Sequence, residues 1–408
     1  MTKGKDAKPH IGIYGRRNNG KSSIINVILE QDHAIVSNIP GTTTDPVKKS
    51  IELPGLGSAI LIDTAGIDDS GDLGQKRIQK TLQTLPIVDA AILVITANTF
   101  GSYESKLVEE FKNFEIPYLI LHNKSDEIPL NSIVHEDLES RFQVPVIAFS
   151  ALKRSGTDLL LSALSQLIPE SAWQSTSLIG DLVKHGDLVL LITPIDIEAP
   201  EGRLILPQVQ TIRDALDNDC TVVISKEREV GELLKKLHPR PALVITDSQV
   251  FPKADAAVPK DIPLTSFSII LAKQKGDFRN YLKGTPHLGL LKDGDRILIL
   301  ESCTHHVSCD DIGRVKIPRW LTNYNGKKLE FEVVSGLNKL PGNITDYAMV
   351  IQCGGCMITR RQIINRLKPA VDVGIPVTNY GMAIAWIHGI YQRAISPFVA
   401  VENSAEYL

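Results

Sequence analysis

Short aliphatic and β-branched runs alternate with stretches of helical period through the first 168 residues or so. The runs at 11–14, 59–62, 90–95, 118–121 and 144–149 are strand-sized, and longer helix-like segments separate them. Strand, loop and helix in repetition predict a largely parallel sheet covered on both faces. The pattern lapses at 169–177, which reads as a linker. A second set of strands, at 188–192, 220–224 and 242–245, is spaced by segments 205–217 and 229–237 of helical period, a small α/β unit. The stretch 251–263, with its three prolines, reads as another linker. Beyond it, strands at 296–300 and 347–351 each run directly into a cysteine group, which places those cysteines on loops at strand ends. The expectation is an α/β protein of three domains, at 8–170, 178–255 and 263–408.

Composition narrows this picture in three places. The 408 residues, 43% hydrophobic and 22% charged, exceed one ordinary domain and supply several cores. A net charge of -3 gives no broad basic field, so nucleic acid is not expected as the main ligand. The first ten residues are polar and lysine-rich, and no apolar run is long enough to span a bilayer, so no membrane association and a cytoplasmic location are expected. Five cysteines, four of them between residues 303 and 356, suit metal ligation better than a disulfide frame in such a compartment.

Candidate chemistry begins at Gly15-Arg16-Arg17-Asn18-Asn19-Gly20-Lys21-Ser22, which follows the first strand and precedes an apolar helix starting at Ser23. Such a loop lets backbone amides cradle phosphates, with Lys21 on the β and γ phosphates and the Ser22 hydroxyl on magnesium. Gly15, Asn18, Asn19, Gly20, Lys21, Ser22 and Ser23 are therefore expected nucleotide contacts. Asp63-Thr64-Ala65-Gly66 ends a strand and offers a carboxylate near the metal and a glycine amide near the γ phosphate. Asn123-Lys124-Ser125-Asp126 ends another, and Asp126 can accept from the N1 and N2 donors of guanine, a pair that adenine lacks. Ser150 and Ala151 would complete the base pocket through their backbone. The nucleotide is thus expected to be GTP.

These four motifs in this order resemble a small GTPase domain, over roughly residues 8 to 170. Within that class, Gly41-Thr42-Thr43-Thr44-Asp45 is similar to the first switch of the Era and TrmE-like GTPases. The resemblance implies Thr43 as the magnesium or γ-phosphate threonine, with Thr42 beside it, and makes Lys21, Thr43, Asp63 and Gly66 the catalytic set. Ile67 stands where Ras-like proteins place a water-orienting glutamine, so intrinsic hydrolysis should be slow. TrmE-like GTPases compensate with potassium held partly by a phosphate-loop asparagine, a position that Asn18 matches.

The cysteines fall as Cys303-Thr304-His305-His306-Val307-Ser308-Cys309 and Cys353-Gly354-Gly355-Cys356. Two ligand sets are open, beside a dithiol redox pair of Cys353 and Cys356 or plain buried cysteines. An iron-sulfur cubane would take Cys303, Cys353 and Cys356 plus one of Cys309, His305, His306 or Asp310, whereas structural zinc would take Cys303, His305, Cys353 and Cys356. Cys220, inside an apolar run, reads as a core residue. Arg360 and Arg361 could counter an anionic ligand or be ordinary helix charges.

A GTPase domain, a small α/β domain, then Cys-x-His and Cys-Gly-Gly-Cys about fifty residues apart resembles the GTPase maturation factors of FeFe-hydrogenases, the HydF family, across essentially the whole chain. That resemblance implies a P-loop GTPase domain, an α/β dimerisation domain and an α/β domain carrying a 4Fe-4S cluster. It also implies a homodimer or higher oligomer that receives a diiron precursor from two radical-SAM maturases and delivers it to apo FeFe-hydrogenase. The chain lacks the Cys-x3-Cys-x2-Cys signature of the radical enzymes and is not one of them. The family pattern usually has histidine before the Cys-x-x-Cys, and here the residue is Gln352. A glutamine amide is a poor iron ligand, so Asp310 ranks first for the fourth iron position, with His305 the alternative. The competing reading is a zinc-stabilised regulatory GTPase of RNA modification or ribosome assembly.

Overall fold

A computed structural model describes residues 8–29, 37–39, 47–53, 57–68, 78–168, 177–194, 204–302 and 311–399. The chain divides into two compact units, Met1–Gln174 and Ser175–Leu408. The first holds a seven-stranded sheet of β1 (His10–Gly15), β2 (Ser37–Ile39), β3 (Val47–Leu53), β4 (Gly57–Asp63), β5 (Ala90–Ile95), β6 (Tyr118–His122) and β7 (Val146–Ala148). Their order is β2-β3-β4-β1-β5-β6-β7. From β4 to β7 every pairing is parallel, and β2 and β3 extend the edge antiparallel. The apolar runs of β1 and β5 are buried at every residue because helices cover both faces, as in parallel sheets generally. Phosphate loop, Asp63 and Asn123 consequently all leave the carboxyl ends of neighbouring strands, where open α/β sheets collect their ligands.

The second unit holds two four-stranded sheets, both wholly parallel. One orders β8 (Leu188–Ile192), β9 (Thr221–Ser225), β10 (Leu243–Thr246) and β11 (Leu264–Ser266) as β11-β10-β8-β9. The other orders β12 (Arg296–Leu300), β13 (Glu330–Val334), β14 (Met349–Gln352) and β15 (Val377–Asn379) as β13-β12-β14-β15. The three sheets fit an α/β layout of three domains, with β11, at 264–266, paired to β10 in the first small sheet. Leu190 and Ile245 of the first small sheet share one hydrophobic core with Leu298 and Val350 of the second. Cys220 lies in that core, as its apolar neighbours imply.

The expected linker at 251–263 is folded. Phe251–Ala257 is a helix, Phe251, Ala254, Val258 and Ile262 are buried, and the Arg393 guanidinium donates to Asp255 Oδ1 at 2.7 Å and to the Pro259 carbonyl at 2.6 Å. Pro252 sits in the helix's first turn, where an absent N–H costs nothing, so proline content misled here. The other expected linker, at 169–177, lies outside the described residues except for Ser177.

Gly284 closes the helix Phe278–Gly284 directly against β15. A Cβ there would lie 2.1 Å from the Val377 carbonyl oxygen and 2.7 Å from its nitrogen, and backbone paired into a sheet cannot give way cheaply. Gly284→Ala is therefore expected to destabilise the C-terminal unit by about 2 kcal/mol, read as a lower urea midpoint.

Candidate nucleotide and cysteine sites

The phosphate loop runs from Gly15, at the end of β1, to the helix Lys21–Leu29. Gly15 adopts φ 147°, and a side chain there would meet the Val94 carbonyl at 2.4 Å. Asn18 and Gly20 also hold positive φ, so the loop curls with its amides turned inward. The Lys21 ammonium donates to the carbonyls of Gly15 at 3.0 Å and Arg16 at 2.8 Å, folded back along the loop it serves. Ser22 Oγ donates to Asp63 Oδ2 at 2.6 Å, which brings the expected magnesium hydroxyl and the expected carboxylate together. Gly66 packs so closely on Arg17 that a Cβ would fall 2.7 Å from its nitrogen. Ile67 beside it is buried in the core, with no polar group to offer a water.

The base-recognition segments lock onto this loop. Asn123 Nδ2 donates to the Asn19 carbonyl at 2.8 Å, and Asn123 Oδ1 accepts from Ala151 N at 3.2 Å. Ser150 Oγ donates to Asp126 Oδ1 at 2.5 Å, and that hydroxyl, foremost, holds the Asp126 carboxyl below the usual carboxylate range. Asn18, Asn19, Gly20, Lys21, Ser22, Asp63, Gly66, Asn123, Lys124, Asp126, Ser150 and Ala151 thus occupy one end of the sheet. Thr42 and Thr43 lie outside the described residues.

Two supports were not singled out from the sequence. Arg16 makes a bidentate pair, 2.7 Å on each arm, with the buried carboxylate of Glu104, which also accepts from Gly101 N. Burial pushes that carboxyl up, but the Arg16 guanidinium and nearby amides outweigh it and leave it below its ordinary value. His122 Nε2 accepts from Asn98 N at 3.1 Å, so its Nδ1 carries the proton and donates to Ser125 Oγ at 3.0 Å. Burial lowers this imidazole's pKa and keeps it neutral. The Arg16–Glu104 and Asn98–His122 contacts join residues 88 and 24 apart in sequence, and no local spacing announces them.

The cysteine site occupies the carboxyl end of the last sheet. β14 ends at Gln352, and Cys353, Gly354, Gly355 and Cys356 follow as a tight loop in which Gly355 adopts φ 68°. Ser302, two residues past β12, points its N–H at Cys353 Sγ over 3.1 Å. The Lys275 ammonium, buried at the end of the helix Phe267–Lys275, donates to the carbonyls of Cys356 at 3.2 Å and Ile358 at 3.3 Å. Arg366, also buried, donates to the Glu301 carbonyl at 2.8 Å and the Val334 carbonyl at 3.2 Å. Burial foremost, then the neighbouring Cys353, pushes the Cys356 thiol up to about 11, so neutral pH leaves it protonated. Two thiols on one curled loop, sulfur-directed amides and two buried cations fit an anionic iron-sulfur cluster. Among the described residues no group of three or more His, Cys, Asp or Glu side chains gathers for a metal, and Cys303, His305, His306, Cys309 and Asp310 lie outside them. Arg360 donates to the carbonyls of Gln274 and Gly276, an anchoring role.

Residues 178–276 match the hydrogen maturase F dimerization domain, and residues 279–397 match the hydrogen maturase F tetramerization domain. The chain belongs to the hydrogen maturase F family. Its residues 10–124 match a further family model, the 50S ribosome-binding GTPase, so this hydrogen maturase F chain joins a GTPase domain to two oligomerisation domains. Among curated relatives, the tRNA modification GTPase MnmE of Lachnoclostridium phytofermentans is 29% identical over 242 residues, 54% of this chain and 51% of that protein. MnmE of Natranaerobius thermophilus is 35% identical over 38% of this chain and 34% of its own length, and GTPase Der of Pseudothermotoga lettingae is 32% identical over 40% of each. The chain therefore spans about half or less of these relatives. Among solved structures, Aquifex aeolicus Era is 19% identical, with 54% of this chain and 93% of that one covered and a TM-score of 0.35. The G domain of T. maritima FeoB is 20% identical, covering 40% and 99%, with a TM-score of 0.32. No helix among the described residues is long and apolar enough to cross a membrane.

Proposed function

We propose that this hydrogen maturase F chain hydrolyses GTP and acts as a homo-oligomeric scaffold that receives a diiron precursor from two radical-SAM maturases and delivers it to apo FeFe-hydrogenase. Family membership and the cysteine loop at the end of β14, with its buried Lys275 and Arg366, carry this reading. Cys303, Cys353 and Cys356 would hold a 4Fe-4S cluster, with Asp310 as the fourth ligand and His305 its alternative. When bound, such a cluster would supply an iron with one exchangeable coordination position as the anchoring chemistry for a diiron cargo. Lys275 fixes the curvature of the loop, and Arg366 offsets anionic charge beside it.

At the other end, Lys21 binds the β and γ phosphates, Ser22 and Thr43 supply the magnesium hydroxyls, Asp63 orients that ion, and Asp126 selects guanine. The buried Ile67 side chain supports slow intrinsic turnover. Asn18, exposed on the phosphate loop, is the proposed potassium ligand. Hydrolysis is expected to run several-fold faster in potassium than in sodium, and Asn18→Ala to remove most of that difference. Equal rates in the two salts for wild type would rule the ion out.

The decisive experiment is anaerobic reconstitution followed by incubation with the precursor and with apo-hydrogenase, scored by iron, sulfide and hydrogen evolution. Iron and sulfide in equal amounts, with hydrogenase activation, is the expected result. Stoichiometric zinc without sulfide would favour the rival reading, a zinc-stabilised regulatory role. Pulsed EPR on Asp310→Ala and His305→Ala then assigns the fourth ligand.

A further inference from the structure

Gln352 is fully buried at the end of β14, one residue before the cysteine loop, and its side-chain amide turns toward sulfur. Nε2 lies 3.0 Å from Ser302 Oγ, 3.2 Å from the Cys353 carbonyl oxygen and 3.6 Å from Cys353 Sγ. A carbonyl oxygen can only accept, so the atom facing it must be nitrogen, which fixes the orientation of the amide. Gln352 Oε1 is left buried with no hydrogen-bond partner among the described residues. A polar atom is thus sacrificed to keep the N–H group where it is.

Ser302 Oγ in turn lies 2.9 Å from Cys353 Sγ, and Ser302 N approaches the same sulfur at 3.1 Å. A hydroxyl that already accepts from an amide N–H has its own proton free to point elsewhere, and the nearest acceptor is the sulfur. A free thiol could still donate back to that oxygen, but a metal-bound thiolate cannot, so the relay then runs one way: Gln352 N–H to Ser302 Oγ, and Ser302 O–H to Cys353 Sγ. Register produces this contact. Leu300 pairs with Gln352 across parallel strands, so Ser302, two residues past β12, comes level with Cys353, one residue past β14.

We infer that Gln352 and Ser302 form a hydrogen-bond relay onto Cys353 Sγ that raises the reduction potential of a cluster held there, with Gln352 a positioning residue rather than an iron ligand. The inference rests on the cluster reading above. Donors to a cluster sulfur stabilise the more electron-rich state, so they favour the reduced cluster. Cys353 receives this treatment, so the effect should be set at one corner of the site.

The test uses anaerobically reconstituted full-length protein and an EPR-monitored titration with dithionite. Ser302→Ala and Gln352→Leu should each load iron and sulfide, and at the wild-type midpoint each should show about a tenfold lower ratio of reduced to oxidised cluster, equal to about 59 mV for one electron. Ser302→Thr, which keeps the hydroxyl, should return the potential close to wild type. Unchanged midpoints in both variants would overturn the relay while leaving the cluster intact. Failure of wild type itself to take up iron and sulfide would overturn the cluster reading and the relay with it. If Ser302→Ala loads less iron, the threonine variant decides: restored loading supports the relay, and equal loss overturns it.

Discussion

Asp126→Asn should weaken GTP binding by about 10²-fold or more and create affinity for xanthosine triphosphate. A carboxylate accepts from both N1–H and the N2 amino group of guanine, and each charge-assisted bond is worth roughly 1.5–3 kcal/mol. Asparagine can offer one acceptor and must then present an N–H to the other donor, so the loss is compounded by a mismatch. Xanthine carries a carbonyl at position 2, which that N–H satisfies. The Ser150 hydroxyl, donated to Asp126 at 2.5 Å, already orients the carboxylate and should do the same for the amide oxygen, which limits collateral damage to the loop. Equilibrium titration with fluorescent GTP and XTP analogues reads both effects. Unchanged GTP affinity would mean that the base is read elsewhere.

Cys353→Ser and Cys356→Ser should each reduce iron and sulfide after anaerobic reconstitution to near background, while Cys220→Ser retains the wild-type content. Serine matches cysteine in shape, but its hydroxyl does not ionise near neutral pH and gives a hard oxygen in place of a soft thiolate. The two positions are not equivalent. Cys353 is surrounded by donors from Ser302 and Gln352, whereas the Cys356 thiol is raised by burial, so metal must displace a proton there that is firmly held. Uptake at Cys356 should therefore quicken as pH rises toward about 11, the value at which that thiol ionises unaided. Full cluster content in either variant would remove the loop from the ligand set.

The nucleotide end is legible in the sequence because each motif is contiguous and its strand precedes it, as with Gly15 to Ser22, Asp63 and Asn123 to Asp126. Strand runs such as 90–95 and 296–300 coincide with β5 and β12, since buried parallel strands need uninterrupted apolar residues. Proline content obscured 251–263, where the burial of Phe251 and Ile262 decides the structure. Ser302, Lys275 and Arg366 gave no signal at all. Lys275 meets a carbonyl 81 residues away and Arg366 one 65 residues away, and such partnerships exist only once the sheets have formed.

Lys275 closes a segment matched to dimerization, yet its ammonium grips carbonyls of a loop matched to tetramerization. Thermodynamic linkage makes such a grip symmetrical. If filling the cysteine loop tightens or relaxes self-association by some factor, self-association must change the affinity of the loop for its metal by that same factor. Under such a coupling, the assembly state of the protein would be a variable in every measurement of metal content, and protein concentration alone would load or empty the site.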